Sequence, residues 1–481
     1  MQYAGLLTES QLSRVHEASL EVLDKTGVKV HNEKARAIFY RHGCRVDNTS
    51  PLVTFPPRIV EEHRQSFVSS FTFRGRDPER DKTIPEDGPV MVTASSAPDV
   101  VDPVNGELRR ATSADMANIS HLVNMLDGYD VFSTSTLACD APDGHFSLAR
   151  FYPALKNCAK PVRGNTPNMK ELKKVLELGA IVAGGEAAYQ ERPLITHHCC
   201  AAVSPLTLDV ESTEAIIYLT ERGLPCYATV PPNAGMTAPM TLLGALVLGN
   251  AEFLTVALLK QMIRPGSPNI YAAIPTVADM RSGGYAPGGV ESGILMMGHS
   301  QMAGFYKVPS GGYIGLTGAH GNDAQSGYET GINMTAAMLG RTHMFNTGGL
   351  LSSLMAFDFA KAVIDGEMAL MLKRLKRGLE FSEAHLALDA IAEAGPGGSY
   401  LELDHTLYHM RRSALTPEVA TREMRSAWED AGRPDANARA LSLVEKILKQ
   451  ENPALFSSDL DDRIRNRFQN LVSGTSGWKV G

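Results

Sequence analysis

Residues 309–345 read PSGGYIGLTGAHGNDAQSGYETGINMTAAMLGRTHMF, and this stretch decides the predicted fold. A short apolar strand is predicted over 312–316. A polar loop then leads to Asp323, an acid of the type that caps the free N–H groups of a helix. An amphipathic helix is predicted over 324–339, and the next strand begins at Met344. Strand, polar loop, helix and strand in this order form one unit of a parallel α/β fold.

The same unit recurs along most of the chain. Seven helical patterns are predicted at 113–127, 169–183, 210–221, 241–262, 289–306, 324–339 and 357–376. Eight strands are predicted at 90–93, 131–134, 161–164, 194–199, 226–230, 269–274, 312–316 and 344–350. Most of these strands are apolar runs without alternation, which is typical of strands buried on both faces. Eight βα units match a closed (β/α)₈ TIM barrel, whose usual size is ~250 residues or more.

An open doubly wound sheet is the alternative α/β architecture. That fold usually carries a glycine-rich phosphate-binding turn directly after its first strand. Here the first predicted strand is followed by SSAPDVVD, and the later glycine pairs 283–284 and 288–289 do not give GxGxxG between a strand and a helix. The sequence therefore favours the barrel.

Three segments are predicted. Residues 1–85 form an α+β extension that caps one barrel end, with helices at 8–26 and 33–42 and hairpin-like segments near 52–55 and 71–75. Residues 86–376 form the barrel. Residues 377–481 form a helical region with helices at 381–392, 417–430 and 436–450, which packs on the barrel or on another subunit.

Composition and charge exclude several classes of protein. With 43% hydrophobic and 21% charged residues, the chain has the composition of a soluble globular protein. Its net charge of -7 gives no electrostatic footprint for nucleic acid. We find no apolar run of the ~18 residues that a membrane span needs, and no basic segment followed by an apolar core at the N-terminus. Six cysteines are too few for a disulfide framework in 481 residues. A cytoplasmic enzyme is expected.

The active site of such a barrel lies at the carboxyl ends of its strands. The polar and special residues that follow the predicted strands are therefore candidates: Cys139, Asp140, Arg163, Asn165, His197, His198, Cys199, Cys200, Asn233, Asp279, Arg281, Tyr285, His320, Asn322, Asp323, Gln325, Glu329 and Asn346. Gln325 and Glu329 are four apart and share one helical face. Asp323 is interpreted first as a helix cap. Gln325 and Glu329 could alternatively belong to an ordinary solvated face of the helix.

A metal site is the first rival hypothesis. His197 and Cys199 share one face of their strand, and His198 and Cys200 share the other. Zinc takes four ligands, and no C-x-x-C or H-E-x-x-H spacing supplies the rest. Buried packing is the favoured interpretation, so no metal is predicted. No G-x-S-x-G elbow indicates a serine hydrolase.

Several long motifs resemble one known family. They are RSGGYAPGG at 281–289, VPSGGYIGLT at 308–317, NDAQSGYE at 322–329, MFNTGGLL at 344–351 and FDFAKAVID at 357–365. These resemble the trimethylamine methyltransferase (MttB) superfamily, and the similarity extends from 7–28 to 451–457. The resemblance implies a TIM barrel that moves a methyl group from a methylated amine to a Co(I) corrinoid (cobalamin). A partner protein presents this corrinoid, so this chain itself is not expected to bind it tightly.

The sequence departs from the founding members at one loop. They carry pyrrolysine after the seventh strand, where this chain has ordinary residues around His320 and Gly321. A quaternary amine leaves as a neutral tertiary amine and needs no such activation, so the resemblance implies a quaternary-amine methyltransferase. Glycine betaine is the first expected substrate, and a homo-oligomer is expected.

In this hypothesis the site residues fall into two groups. Asp323, Gln325 and Glu329 provide the field for the cation and form the catalytic set. The substrate-binding set is Arg281, Tyr285, Tyr313, His320, Tyr328, His343 and Phe345, in which the aromatic faces hold the ammonium and Arg281 or His343 takes the carboxylate. The remaining rivals are a metal-dependent lyase that uses His197 and Cys199, and a betaine-binding protein without catalysis.

Overall fold

Eight short parallel strands form the centre of the protein in the computed structural model, which describes residues 5–478. Smaller sheets surround these eight, and all strands of the described residues, in chain order, are β1 (Val28–Val30), β2 (Arg45–Val46), β3 (Leu52–Thr54), β4 (Phe71–Phe73), β5 (Lys82–Ile84), β6 (Val90–Val92), β7 (Asp99–Val101), β8 (Leu108–Arg110), β9 (Phe132–Ser133), β10 (Val162–Gly164), β11 (Ile195–Cys199), β12 (Ala202–Val203), β13 (Thr207–Leu208), β14 (Cys226–Val230), β15 (Asn233–Ala234), β16 (Tyr271–Ala273), β17 (Thr276–Asp279), β18 (Gly284–Ala286), β19 (Ser310–Tyr313), β20 (Met344–Asn346), β21 (Leu350–Leu351) and β22 (Ala356–Asp358).

Helices surround this centre and make up the two ends of the chain. They are α1 (Glu9–Glu21), α2 (Glu33–Arg41), α3 (Pro57–Arg64), α4 (Ser113–Met125), α5 (Leu148–Asn157), α6 (Met169–Ala183), α7 (Glu186–Glu191), α8 (Glu211–Glu221), α9 (Leu242–Ile263), α10 (Val290–Phe305), α11 (Ala324–Leu339), α12 (Phe359–Arg377), α13 (Glu383–Leu386), α14 (Leu388–Ala394), α15 (Asp404–Ser413), α16 (Arg425–Asp430), α17 (Ala436–Leu448) and α18 (Ser458–Arg467).

The central strands form a nearly closed barrel. Each is parallel to its neighbours, and their order around the ring is β6, β9, β10, β11, β14, β16, β19 and β20. A single parallel bridge between Val92 and Val131 completes the ring between the first two strands. The predicted α/β barrel is confirmed, and the open doubly wound sheet is wrong.

Glycines end two of the strands earlier than predicted. Strand β19 ends at Tyr313 because Gly315 has φ +74°, and β20 ends at Asn346 because Gly348 and Gly349 have φ +97° and +79°. Left-handed backbone of this kind cannot continue an extended strand, and glycine adopts it at the lowest cost. The chain therefore turns at the carboxyl ends of both strands and forms irregular loops there.

Most predicted barrel helices are present within two residues of their expected ends. The predicted set lacks α5, in which Pro153 interrupts the pattern of helix-forming residues. The helix predicted over 417–430 is wrong in its first half. There the backbone N–H groups of residues 418–420 bind the carboxylate of Glu367 instead of helical carbonyls, so only α16 forms.

A hairpin seals the amino-terminal end of the barrel. Strands β4 and β5 pair antiparallel, and Phe71 packs edge-on against Tyr227 inside the barrel with ring centroids 5.9 Å apart. The rest of the N-terminal segment lies along the side, where α1, α2 and α3 pack on α9. Residues 1–4 and 479–481 of the predicted outer segments lie outside the described residues, and the three domain boundaries stay predictions.

Small sheets form the rim at the opposite, carboxyl-terminal end. The loops after the strands pair as β15–β17–β18 and as β21–β22–β7–β8. The C-terminal helix α17 packs on α12 and α4, and Asn437 in its first turn reaches the rim, where it accepts a hydrogen bond from Asn322 at 2.9 Å. We call this end of the barrel the mouth.

Helix α9 is the most apolar helix of the chain. Its length and composition would allow it to cross a membrane, but 78% of its most apolar window is buried inside the protein. It packs against α1, α3, α8 and α10. This burial is that of a core helix.

One buried acid on α9 predicts a pH dependence of stability. Glu252 is 2% exposed and accepts hydrogen bonds from the Ser204 hydroxyl and the Leu206 N–H, and burial raises its pKa to about 7. The unfolded chain ionises this group near pH 4.5, the folded protein only near 7. The contribution of Glu252 to stability is therefore fully present below pH 4.5 and is lost, by roughly 3 kcal/mol, as the pH rises from 4.5 through 7. Glu252→Gln should flatten this part of a Tm–pH profile, and an unchanged slope would contradict the assignment.

Candidate active site

The loop between β19 and α11 forms one side of the mouth. Gly315 starts this loop, and a Cβ there would lie 2.6 Å from Met334 Cγ, so only glycine lets the strand turn against α11. At the start of the helix, the Asp323 carboxylate accepts the N–H of Ser326 at 3.1 Å. The predicted capping role of Asp323 is thereby confirmed.

The Glu329 carboxylate of α11 is held by hydrogen bonds from this loop and from its own helix. Its Oε2 accepts hydrogen bonds from the Thr317 hydroxyl at 2.6 Å and from the Gly318 N–H at 2.9 Å, and its Oε1 accepts one from Gln325 at 3.0 Å. All three donors are neutral, and no Lys, Arg or His of the described chain forms an ion pair with Glu329. A half-buried negative charge thus faces the mouth without a cation of its own.

The glycines of the opposite loop make room for this carboxylate. A Cβ at Gly288 would lie 2.2 Å from Glu329 Oε2. The Asn333 side chain also binds the carbonyl of Gly288 at 3.0 Å. The loop that carries Tyr285 is therefore held directly against α11 and Glu329.

Two of the predicted tyrosines lie at the mouth. Tyr313 is 8% exposed, and its hydroxyl lies 2.6 Å from Ser95 Oγ. Tyr285 is half-buried, its carbonyl accepts a hydrogen bond from Ser353, and burial raises the pKa of its phenol, with a smaller contribution from Tyr313. The Tyr285 phenol therefore stays neutral, and both rings can present π-faces to a bound cation.

A buried guanidinium lies deeper in the barrel. Arg163 of β10 is 0% exposed and donates to the hydroxyls of Ser133 at 2.7 Å, Tyr227 at 2.6 Å and Tyr313 at 3.5 Å. His198 of β11 lies beside this group, 2.8 Å from the Thr229 hydroxyl. Burial and, to a smaller extent, Arg163 hold the pKa of His198 well below its usual value, so its imidazole is neutral.

Four predicted site residues lie on the outer rim. Tyr328 is 56% exposed, and the exposed His320 binds the Ser352 hydroxyl at 2.8 Å. The Arg281 side chain is 91% exposed and pairs with Asp279 at 2.9 Å. Asp323 is also exposed and caps α11. These side chains surround the mouth, and their roles with substrate stay predictions.

Two others lie away from the mouth. His343 precedes β20 and is at the amino-terminal end of the barrel, where it lies 3.0 Å from the Ser310 N and burial lowers its pKa to about 4. Phe345 packs outward in the hydrophobic layer between the strands and the helices. The structure thus does not bring these two together with Glu329, Tyr285 and Tyr313.

The two residues of the metal hypothesis share one environment. Cys199 belongs to the hydrophobic layer outside β11, and His197 and Cys199 line the same small cavity there. Neither ring nitrogen of His197 has a hydrogen-bond partner among the described residues, and burial lowers its pKa to about 3. Within residues 5–478, no three His, Cys, Asp or Glu side chains are grouped so that they could hold a metal ion.

Sequence reasoning missed several residues that organise the mouth. Thr317 and Gly318 hold Glu329, and Ser95 holds Tyr313, yet each looks like an ordinary loop residue. Arg163 did carry a signal, because it follows a predicted barrel strand. Arg150 of α5 carried none, and its guanidinium binds the carbonyls of Thr136, Thr134 and Asn165 at the strand ends.

Comparison with known proteins gives a consistent result over the whole chain. The family described as trimethylamine methyltransferase (MTTB) matches residues 1–473. A trimethylamine methyltransferase MttB of Desulfitobacterium hafniense is 30% identical over 472 residues, covering 97% of this chain and 93% of that protein. A glycine betaine methyltransferase of the same species is 30% identical, with 96% of each chain covered. A Methanosarcina thermophila trimethylamine methyltransferase MttB is 28% identical, with 95% of each covered.

Proposed function

Because the chain belongs to the trimethylamine methyltransferase (MttB) family, we propose that it moves a methyl group from a quaternary amine to the Co(I) corrinoid of a partner protein. Glycine betaine is the first candidate substrate, since a relative of this chain carries the name glycine betaine methyltransferase. A methyltransferase that acts on methylated amines follows from the family. The quaternary amine, the corrinoid acceptor and a cytoplasmic location are our proposals.

The observation that carries the proposal is the uncompensated carboxylate of Glu329. Its partners are a hydroxyl, a backbone N–H and an amide, and none of them neutralises its charge. A quaternary ammonium has no N–H and cannot form an ion-pair hydrogen bond. It is held instead by a nearby negative charge and by aromatic faces. Glu329, Tyr285 and Tyr313 supply this combination on one side of the mouth.

The reaction requires no protein nucleophile and no proton transfer. The Co(I) electron pair attacks one methyl carbon and forms the Co–C bond. The N–CH₃ bond breaks with its electron pair left on nitrogen, so the products are methyl-Co(III) and a neutral tertiary amine. The protein has to orient the N–CH₃ bond toward the mouth and hold the second reactant in line. A pyrrolysine has no role in this route, which accords with the ordinary residues His320 and Gly321.

The direct experiment is a methyl-transfer assay with purified protein. Chemically reduced Co(I) cobalamin is mixed with glycine betaine, proline betaine, carnitine or trimethylamine, and the loss of the Co(I) spectrum is followed. We expect methylcobalamin with one of the betaines. The non-catalytic alternative would be supported if a betaine binds but no methylated corrinoid forms. This would have to hold both with free cobalamin and with corrinoid proteins from methylated-amine metabolism as the acceptor.

The second proposed partner is another copy of this chain. We call residues 379–413 the arm, in which only Ala390 is buried. Leu379, Phe381 and Leu401 are 97%, 87% and 77% exposed. The large apolar side chains of the arm expose on the order of 1,000 Å², more than a monomer usually shows and comparable with the ~800 Å² per partner of a stable interface.

The position of the arm argues against the corrinoid protein as its partner. Both ends of the arm meet the end of α12, where Arg374 donates to the carbonyl of Ser413. Nearby on α12, Lys373 binds Asp130, which precedes strand β9. This is the amino-terminal end of the barrel, opposite the mouth. A methyl acceptor must reach the mouth, so it would not cover the arm. We therefore propose that the arm packs against a second copy of this chain.

The arm gives a prediction about oligomeric state. Phe381→Asp together with Leu401→Asp should convert a dimer or larger oligomer into monomers in light scattering, because each change buries a charge in the proposed interface. Methyl transfer should persist, because the mouth lies at the other end of the barrel. Two exposed polar replacements elsewhere, Lys25→Ala and Glu33→Ala, serve as a control. A wild-type protein that is monomeric at assay concentration would contradict the proposal.

A further inference from the structure

A cleft at the amino-terminal end of the barrel is lined by three cationic residues. It lies between strand β4 and the loops that precede β11, β14 and β16, and its volume is about 340 Å³. This volume is within the range of cavities that hold small molecules. The cations are Arg74, Lys260 and Arg264. The proposed methyl transfer takes place at the opposite end of the barrel and gives this cleft no role.

Lys260 supplies a buried ammonium group. It is 2% exposed, and its Nζ donates to the carbonyls of Cys226 at 2.5 Å and Pro268 at 2.6 Å. Both acceptors are at the wall of the cleft, since Pro268 lines it and Cys226 follows the lining residue Pro225. An ammonium has three N–H groups, so one is left without an acceptor among the described residues. A buried charge is costly unless it is paired and hydrogen-bonded, so a ligand anion would stabilise this group.

Lys160 provides a comparison, because it is a buried lysine whose role is structural. It is 6% exposed, and its Nζ donates to three backbone carbonyls, those of Val123 at 2.8 Å, Leu126 at 2.6 Å and Tyr129 at 2.7 Å. All three N–H groups of Lys160 are therefore used within the chain. Lys260 differs from it by one unused N–H group and by the cleft beside it.

Arg264 brings a guanidinium to the same cleft. This guanidinium has no hydrogen-bond or ion-pair partner among the described residues. It lies over Gly223, which also lines the cleft and has φ +66°, and a Cβ at Gly223 would collide with it. Arg74 donates to the backbone carbonyl of Glu191 at 3.4 Å and likewise forms no ion pair within the described chain. Both arginines can therefore still pair with an anion.

The acids near the cleft leave its positive charge largely uncompensated. Glu191 also lines the cleft, but it is exposed and forms no ion pair with any of the three cations. Asp81 lies close by, because its carboxylate accepts the N–H of Gly75 next to Arg74. That carboxylate is already bound by the guanidinium of Arg192, at 2.6 Å. Three positive charges thus face one negative charge, an excess that matches a ligand with two negative charges.

We propose that this cleft is a second ligand site, which binds a phosphate group. A phosphate group carries about −1.5 to −2 charges at neutral pH and has three strong acceptor oxygens. Arginine and lysine are the residues that usually bind it. Ser70 also lines the cleft, and its hydroxyl has no hydrogen-bond partner among the described residues, so it can add a neutral donor. The ligand is either free phosphate or a small phosphate ester.

Isothermal titration calorimetry at constant ionic strength tests this site with inorganic phosphate and with glycerol 3-phosphate. We expect saturable binding to one site per chain. Arg264→Gln should raise the Kd about 10-fold, as for the loss of one partly exposed charge contact. Arg58→Gln is the matched control, because Arg58 is an exposed arginine of α3 outside the cleft, and its Kd should equal that of the wild type. Lys260→Met should abolish binding.

The outcomes of this experiment are distinct. Tighter binding of inorganic phosphate identifies the free ion as the ligand, and tighter binding of glycerol 3-phosphate identifies a phosphate ester. Absence of saturable binding of both probes up to about 10 mM would overturn the proposal, and so would equal weakening by Arg264→Gln and Arg58→Gln. Arg264→Gln keeps the test decisive even if Lys260→Met does not fold, because the Arg264 side chain has no partner within the described chain to lose. Neither result depends on methyl transfer.

Discussion

Glu329→Gln should raise the KM and Kd for a quaternary amine by about 100-fold, with little loss of kcat. Opposite unit charges about 5 Å apart at an effective dielectric constant of about 20 attract by about 3 kcal/mol, which corresponds to roughly this factor. The glutamine side chain would keep an oxygen for the Thr317 and Gly318 donors, so the change removes charge and little structure.

The division between KM and kcat follows from the chemistry. Positive charge on nitrogen disappears as the methyl group leaves, so Glu329 stabilises the bound substrate more than the transition state. The measurement is a steady-state methyl-transfer assay combined with calorimetric binding. Glu367→Gln is a matched control, because Glu367 also accepts backbone N–H groups of a loop but lies on the flank of α12. An unchanged Kd in Glu329→Gln would remove Glu329 from the cation site.

Asp365→Ala should lower the free energy of unfolding by about 3–5 kcal/mol, the usual cost of leaving one charge of a buried pair alone. Lys361 and Asp365 of α12 are each 1% exposed and lie 2.5 Å apart. Lys361 also donates to Thr330 of α11, and Asp365 accepts the N–H of Gly349 in the loop after β20. The pair therefore ties two mouth elements together, and chemical denaturation would measure the loss.

A double replacement provides the control for this prediction. Lys361→Met together with Asp365→Leu removes both charges and keeps apolar volume, so it should cost less than the single change. The exposed pair of Glu21 and Lys25 at the end of the first helix is the surface reference, and breaking it should have little effect on stability. If Asp365→Ala were as mild as that, the buried pair would not be holding the mouth.

Periodicity predicted the barrel well because each barrel strand is buried on both faces and therefore forms a short apolar run between two helical patterns. The errors arise where side chains compete with backbone patterns. Gly315, Gly348 and Gly349 end strands through left-handed backbone, which apolar composition alone does not reveal. The Glu367 carboxylate replaces a predicted helical turn over residues 418–420, a contact between segments far apart in sequence.

The candidate site was predictable only in part, for a related reason. Glu329 and Gln325 could be placed together from helical spacing, and their hydrogen bond confirms that geometry. Arg281 was predicted to bind a carboxylate because it lies in a glycine-rich loop. In the structure it forms an ion pair with Asp279, two residues earlier in the chain. Whether an arginine is compensated depends on what faces it in space, which the sequence alone does not show.

The most direct test of methyl transfer is to follow the methyl group itself. The protein is mixed with Co(I) cobalamin and glycine betaine that carries three CD₃ groups on nitrogen, and both products are analysed by mass spectrometry. We expect CD₃-cobalamin and dimethylglycine with two CD₃ groups in a ratio of one to one. Labelled betaine that is bound but recovered intact, while unlabelled trimethylamine gives methylcobalamin in the same preparation, would contradict a quaternary-amine methyltransferase.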